Sequence, residues 1–181
     1  MPRRKHDFYE TPDHYIEPLV QRISESVFDK GTVIYEPCVG DGCISRYLAE
    51  CEARVVTNDI DSERRADYHF DATTAAAWKI PGVVGSDWCI TNPPFNQWIE
   101  IARRALRRHD RVALLGRLSI LEPTIERGRF WSLNPPAGII VLPRYSFRHN
   151  DEGKRATDNV TCCWVVWDDS MDRFIDFVER P

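Results

Sequence analysis

Apolar and polar positions along the chain sort into short hydrophobic runs and longer amphipathic stretches that alternate from one end to the other. Tyr15, Ile16, Leu19, Val20, Ile23 and Val27 recur at helical spacing, which predicts a helix after Thr11-Pro12-Asp13. Thr11 suits its cap and Pro12 its first position, where a missing N–H does no harm. Val33-Ile34-Tyr35-Glu36 reads as a buried strand that runs into a glycine-bearing turn, Pro37 to Gly42, and then a helix carried by Ile44, Tyr47 and Leu48. Arg54 to Thr57 predicts a second strand, Tyr68 to Ala72 a short third one, and Trp88-Cys89-Ile90 another. Residues 73–87 carry no informative pattern. Trp98, Ile99, Ile101, Ala102, Ala105 and Leu106 mark an amphipathic helix, whose arginines are read as a solvated face.

Three further strands are predicted at Arg111–Gly116, Gly138–Leu142 and Val160–Trp167. The polar and aromatic stretch Leu118 to Pro136 is read as a lid or a substrate-facing insertion. Arg148 to Asn159 is rich in turn formers and charge, hence a loop, and an exposed acidic tail follows Trp167. Strands alternating with helices, opened by strand, glycine turn and helix, predict a Rossmann-like α/β fold. At 181 residues, one domain over 1–181 accommodates the whole pattern.

Charge modifies this picture little. The formal net charge of −4 lends no support to general nucleic-acid binding, although basic residues cluster at Arg3-Arg4-Lys5, Arg103 to Arg108, and around Arg144, Arg148, Lys154 and Arg155. The cysteines (Cys38, Cys43, Cys51, Cys89, Cys162, Cys163) show no zinc spacing and sit in apolar patterns, so small buried thiols are expected and no metal. No bilayer-length apolar run or secretory segment is visible, which predicts a cytoplasmic chain with no membrane partner.

The candidate chemistry lies where strands end. Gly40 and Gly42 permit unusual φ and close ligand approach. Asp59, in Asn58-Asp59-Ile60-Asp61, stands at a strand end roughly twenty residues after the first loop, where an acid accepts hydrogen bonds from ribose hydroxyls. The acids Glu36 and Asp41 in the first loop would repel a pyrophosphate. They suit S-adenosylmethionine, which has no phosphate and presents a sulfonium and an ammonium. Asn92-Pro93-Pro94-Phe95 then forms a stiff loop: two prolines remove donors, the Asn amide offers an acceptor, and Phe95 offers a flat apolar face. Such a loop suits a planar group bearing an amino function.

In order, Tyr9-Glu10-Thr11-Pro12, Glu36-Pro37-Cys38-Val39-Gly40-Asp41-Gly42, Asn58-Asp59-Ile60-Asp61 and Asn92-Pro93-Pro94-Phe95 resemble the motifs of class I S-adenosylmethionine-dependent N6-adenine DNA methyltransferases. Leu142-Pro143-Arg144-Tyr145-Ser146-Phe147, with Asp158 ahead of a Trp-Val-Val-Trp strand, resembles the tail of small bacteriophage-type members. The resemblance implies a mostly parallel seven-stranded sheet with helices on both faces and a reversed terminal hairpin. It implies that Asn92, Pro93, Pro94 and Phe95 are catalytic. It places Tyr9, Thr11, Pro12, Glu36, Pro37, Cys38, Gly40, Gly42, Asp59, Ile60, Asp71 and Asn92 at the cofactor.

Arg117, Arg144, Phe147 and Arg148 are the candidates for substrate contact. Cys38 follows a proline, as does the nucleophile of cytosine-C5 methyltransferases. It lies inside the cofactor loop, however, and is not read as a nucleophile. No segment has the length of a separate target-recognition domain, so specificity is expected to be low, to rest in short loops, or to concern a target other than duplex DNA. The adenine would have to be flipped out or single-stranded. RNA adenine and protein glutamine methylation use similar motifs and remain alternatives, as does a catalytically silent cofactor-binding partner subunit.

Overall fold

The computed structural model describes residues 11–27, 31–146 and 159–179. Four short apolar runs form its parallel half: β1 (Val33–Glu36), β2 (Arg54–Thr57), β3 (Trp88–Thr91) and β4 (Arg111–Arg117), in the spatial order β2-β1-β3-β4. Next come β5 (Gly138–Val141) and a small antiparallel pair, β6 (Tyr145–Ser146) with β7 (Asn159–Val160). Strand β8 (Cys162–Asp168) inserts antiparallel between β4 and β5, and β9 (Phe174–Phe177) pairs parallel with β5 at the edge. The result is a seven-stranded, mostly parallel sheet with one reversed strand, as the family resemblance implies.

Helices cover both faces. Helices α1 (Asp13–Val27) and α2 (Cys43–Glu50) pack on Ile34, Trp88, Ile90, Ala113, Leu115, Trp164 and Val166. Helices α3 (Trp98–Leu106) and α4 (Ile125–Leu133) pack on the alternate set: Tyr35, Cys89, Val112, Leu114, Cys163, Val165 and Trp167. Successive strand residues thus feed opposite cores, which is why β3 and β8 are buried along their whole length. Two indole bonds fasten a helix to each face. Trp164 Nε1 donates to the Tyr15 carbonyl of α1 at 2.6 Å, and Trp98 Nε1 of α3 donates to the Leu115 carbonyl at 2.9 Å. No helix among the described residues is long and apolar enough to cross a membrane.

Three expectations are corrected. Tyr68 to Ala72 is no ladder strand; it contributes a single bridge, Asn58 to Tyr68. The Asn58 side chain supplies the missing bonds, accepting from Phe70 N and donating to Phe70 O, both at 2.9 Å. The acidic tail contains β9, whose Phe174 lies beneath the Arg22 guanidinium at 4.1 Å while Asp176 pairs with Arg22 at 3.2 Å. Finally, Leu118 to Pro136 is largely a packed element. Thr124 caps α4 by accepting from Arg127 N at 3.3 Å, Phe130 is buried, and Trp131 stacks on Trp167 with ring centroids 6.1 Å apart. Burying Phe130 alone contributes about 2–3 kcal/mol, which holds this segment on the sheet.

The chain leaves β1 for β2 on one side and returns to β3 on the other. The loops after β1 and β3 therefore diverge and open a crevice at the carboxyl ends of the strands, the place where open α/β sheets bind ligands.

Candidate active site

That crevice is an open cleft walled by the loops after β1, β2 and β3. Its floor is the turn after β1, where Gly40 (φ 59°) and Gly42 (φ 78°) take left-handed backbone conformations that a side chain would strain. The turn is stitched to the loop after β2. Val39 N donates to Asn58 O at 3.0 Å, and Asn58 Nδ2 donates to Pro37 O at 2.9 Å. The Asp59 carboxylate accepts from Gly40 N at 2.8 Å and from Asp61 N at 2.9 Å. Asp59 therefore braces the cradle as well as lining it, and its second lone pairs stay available to a ligand hydroxyl.

Electrostatically the cleft is built for a cation. Glu36, Asp41, Asp59, Asp61 and Asp71 line it together with Arg64, which pairs with Asp61 at 3.7 Å. Glu36 is 1% exposed and its Oε2 has no hydrogen-bond partner. Burial holds its carboxyl well above the usual range; hydrogen bonds from Ser45 oppose this but are outweighed by burial, and Asp41 and Asp59 add smaller upward contributions. A buried carboxyl oxygen without a partner costs free energy until a donor or a positive charge meets it. Burial also pushes the Cys38 thiol up, with Asp59 and Glu36 nearby, so little thiolate is available there.

The loop after β3 forms one wall. Asn92, Pro93 and Pro94 line the cleft, Pro93 is buried, and Gln97 N donates to Pro94 O at 2.9 Å to start α3. Thr11, 4% exposed just ahead of α1, accepts a hydrogen bond from Asn92 Nδ2 at 3.0 Å and so fixes the plane of the amide. Phe95 lies beyond the lining with the Arg117 guanidinium 4.8 Å over its ring centroid. Arg117, at the end of β4, and Arg144, just after β5, are exposed. The carboxyl rim of the sheet is thus divided: carboxylates over β1 and β2, guanidiniums over β4 and β5.

Of the residues singled out by sequence, Thr11, Glu36, Pro37, Cys38, Gly40, Asp59, Ile60, Asp71, Asn92, Pro93 and Pro94 converge on this cleft. Pro12 and Gly42 flank it without lining it. Tyr9, Phe147 and Arg148 lie outside the described residues, as do Asp158 and Lys154. Sequence reasoning did not assign Asp61, Arg64, Gln97 or Ile101 to the site, although all four line it. Asp61 follows Asp59 by two residues in a turn and was legible; Ile101 read only as a core position of α3.

No family model matches the chain, and no curated protein matches it in sequence. Solved structures do resemble it. A type I restriction-modification methyltransferase subunit from Streptococcus thermophilus superposes with a TM-score of 0.70 at 11% identity, over 94% of this chain and 47% of its own. The modification subunit of a candidate type I restriction enzyme from Vibrio vulnificus gives 0.68 at 12% identity, over 96% and 48%. A candidate RNA methyltransferase from Pyrococcus horikoshii gives 0.65 at 15% identity, over 90% and 88%. The chain spans about half the length of the two restriction-modification subunits. The fold is that of Rossmann-like class I methyltransferases.

Proposed function

We propose that the chain is an S-adenosylmethionine-dependent methyltransferase that modifies the exocyclic N6 amino group of adenine in DNA, with low sequence specificity. The observation that carries this reading is the placement of the Asn92-Pro93-Pro94 wall against the acid-lined cradle of Glu36 and Asp59 in one cleft. The cofactor, when bound, supplies an electrophilic methyl group on its sulfonium.

The chain's own residues supply the rest. Glu36 offers a carboxyl to the positive end of the ligand, Asp59 offers lone pairs to ribose hydroxyls, and the glycine turn lets the ligand lie against the backbone. Asn92 Oδ1 and the Pro93 carbonyl accept the two N6 hydrogens of adenine. That pairing favours pyramidal nitrogen as charge develops, and so stabilises the transition state more than the ground state. Phe95 provides the stacking face. Arg117 and Arg144 receive phosphates of a strand from which the base has been extruded. Holding both reactants in line accounts for much of the acceleration.

RNA adenine is the second reading, favoured by the likeness to the Pyrococcus protein, whose chain is spanned almost end to end. Incubation with labelled cofactor and DNA, RNA or protein, followed by digestion and mass spectrometry, tests both. N6-methyladenine in DNA supports the first reading, N6-methyladenine in RNA alone the second, and label in protein alone contradicts both.

A further inference from the structure

Glu36 combines features that the methyl-transfer reaction does not require. It is 1% exposed, its Oε2 lacks a hydrogen-bond partner, and it borders a cleft shared with four aspartates. A carboxylate in that position would be both desolvated and repelled, so the neutral acid is the form that fits before a ligand arrives. We propose that the cleft admits a singly charged organic cation by proton exchange: Glu36 waits as a neutral acid and becomes the cation's carboxylate partner when the cation enters. The O–H bond of Glu36 breaks, its electron pair stays on the carboxylate, and the proton leaves to solvent. The inference rests on the reading of the ligand as S-adenosylmethionine and names how that site takes up charge.

The groups around Glu36 support the exchange. Asp41 and Cys38 face it from its own turn, Asp59 from the loop after β2, and Cys89 from β3; α2 contributes Ser45. None of these is a cation, and Arg64, the cation lining the same cleft, is paired with Asp61 at 3.7 Å. Ser45 favours the ionised form, but burial outweighs it. An incoming positive charge is therefore the change that reverses the balance.

Calorimetric titration of the whole chain with S-adenosylmethionine at pH 6, in two buffers of different ionisation enthalpy, measures the proton directly. The ligand's own α-amino group (about 7.7–8.0 in model compounds) stays protonated at that pH and contributes nothing. Proton release should accompany binding, and affinity should rise with pH above the ordinary carboxylate range, by up to about tenfold per unit. The isosteric Glu36→Gln protein should bind without release and with a flat pH profile. S-adenosylhomocysteine keeps the ammonium but has a neutral sulfur. Release with both ligands assigns the ammonium to Glu36, and release with the methyl donor alone assigns the sulfonium. Binding without release, or equal release in Glu36→Gln, overturns the proposal.

Melting temperature without ligand gives a second readout. A carboxyl raised on folding keeps a proton that the unfolded chain has lost, so wild-type stability falls as pH rises above about 4.3, and Glu36→Gln should lack that component. Superimposable pH profiles for the two proteins also overturn it. Failure of both ligands to bind is a distinct result, which contradicts the cofactor reading and this exchange with it.

Discussion

Thr11 Oγ and Asn92 Nδ2 meet at 3.0 Å across 81 residues of chain, joining the lead into α1 to the wall of the cleft. The contact depends on α1 being fastened to the sheet by Trp164 and by the Tyr15 hydroxyl, which donates to Pro143 O at 2.6 Å. A hydroxyl can donate or accept, so serine preserves the link and an isosteric apolar side chain removes it. Thr11→Val should lower the rate of methyl transfer about 5- to 30-fold, the equivalent of about 1–2 kcal/mol for a lost hydrogen bond at a buried site, and Thr11→Ser should restore most of it. Steady-state kinetics of the two variants check this. Equal rates in Thr11→Val and wild type would remove the link from the mechanism.

Asp59 braces the first loop as well as facing the ligand. Asp59→Ala leaves Gly40 N and Asp61 N without their partner, so both stability and cofactor affinity should drop, each by about 1–3 kcal/mol. Urea unfolding and calorimetric titration measure the two separately. A loss confined to affinity would mean that the loop does not depend on this brace.

His109 gives the fold an acid-sensitive point. It is 5% exposed, shares a 2.7 Å hydrogen bond with Ser86 Oγ, and stacks on Tyr35. Burial lowers its proton affinity, outweighing the opposing backbone bond to Ala105 and the nearby Asp110. The native state therefore binds fewer protons than the unfolded chain below about pH 6.5. Its share of stability is intact above that pH and is lost as pH falls from there towards the depressed folded value. His109→Gln should flatten this part of a melting profile measured from pH 7.5 to 5; an unchanged slope would place the acid sensitivity elsewhere.

Arg117 and Arg144 stand on the basic half of the rim. Replacing either with alanine should weaken nucleic-acid binding uniformly across sequences and reduce the magnitude of the salt slope of log affinity by about one. Calorimetric titration with the cofactor should be unaltered in Arg144→Ala. Binding isotherms at several salt concentrations test this, and an unaltered slope in both variants would move the nucleic-acid path off this face.

Most of the strands were legible because each is a short apolar run ended by turn formers, as in Val33–Glu36 before Pro37 and Trp88–Thr91 before Asn92-Pro93. The cleft was legible in outline for the same reason, since its residues follow those strand ends. Elements that depend on distant partners were not. Phe174–Phe177 alternates as a strand should, but Asp172, Asp176 and Glu179 made it look like a solvated tail until β5 supplied its partner. The span Tyr68–Ala72 has strand composition, yet the Asn58 amide takes the bonds a neighbouring strand would have made. Helix α4 turns Phe130 inward but exposes Ile125 and Leu133, which blurs its period. Thr11 could be read as a cap, but no local pattern shows that its hydroxyl reaches Asn92.

Asn92→Ala removes the side-chain acceptor while leaving the Pro93 carbonyl, the glycine turn and the carboxylates in place. Wild type and variant should be incubated with labelled methyl donor and adenine-containing DNA, and the digests analysed by mass spectrometry beside a cofactor titration of each protein. N6-methyladenine should form with wild type and fall at least about 100-fold with Asn92→Ala, while both proteins bind the cofactor. Equal N6-methyladenine from both proteins, or none from wild type on DNA or RNA, would contradict the assignment of this cleft.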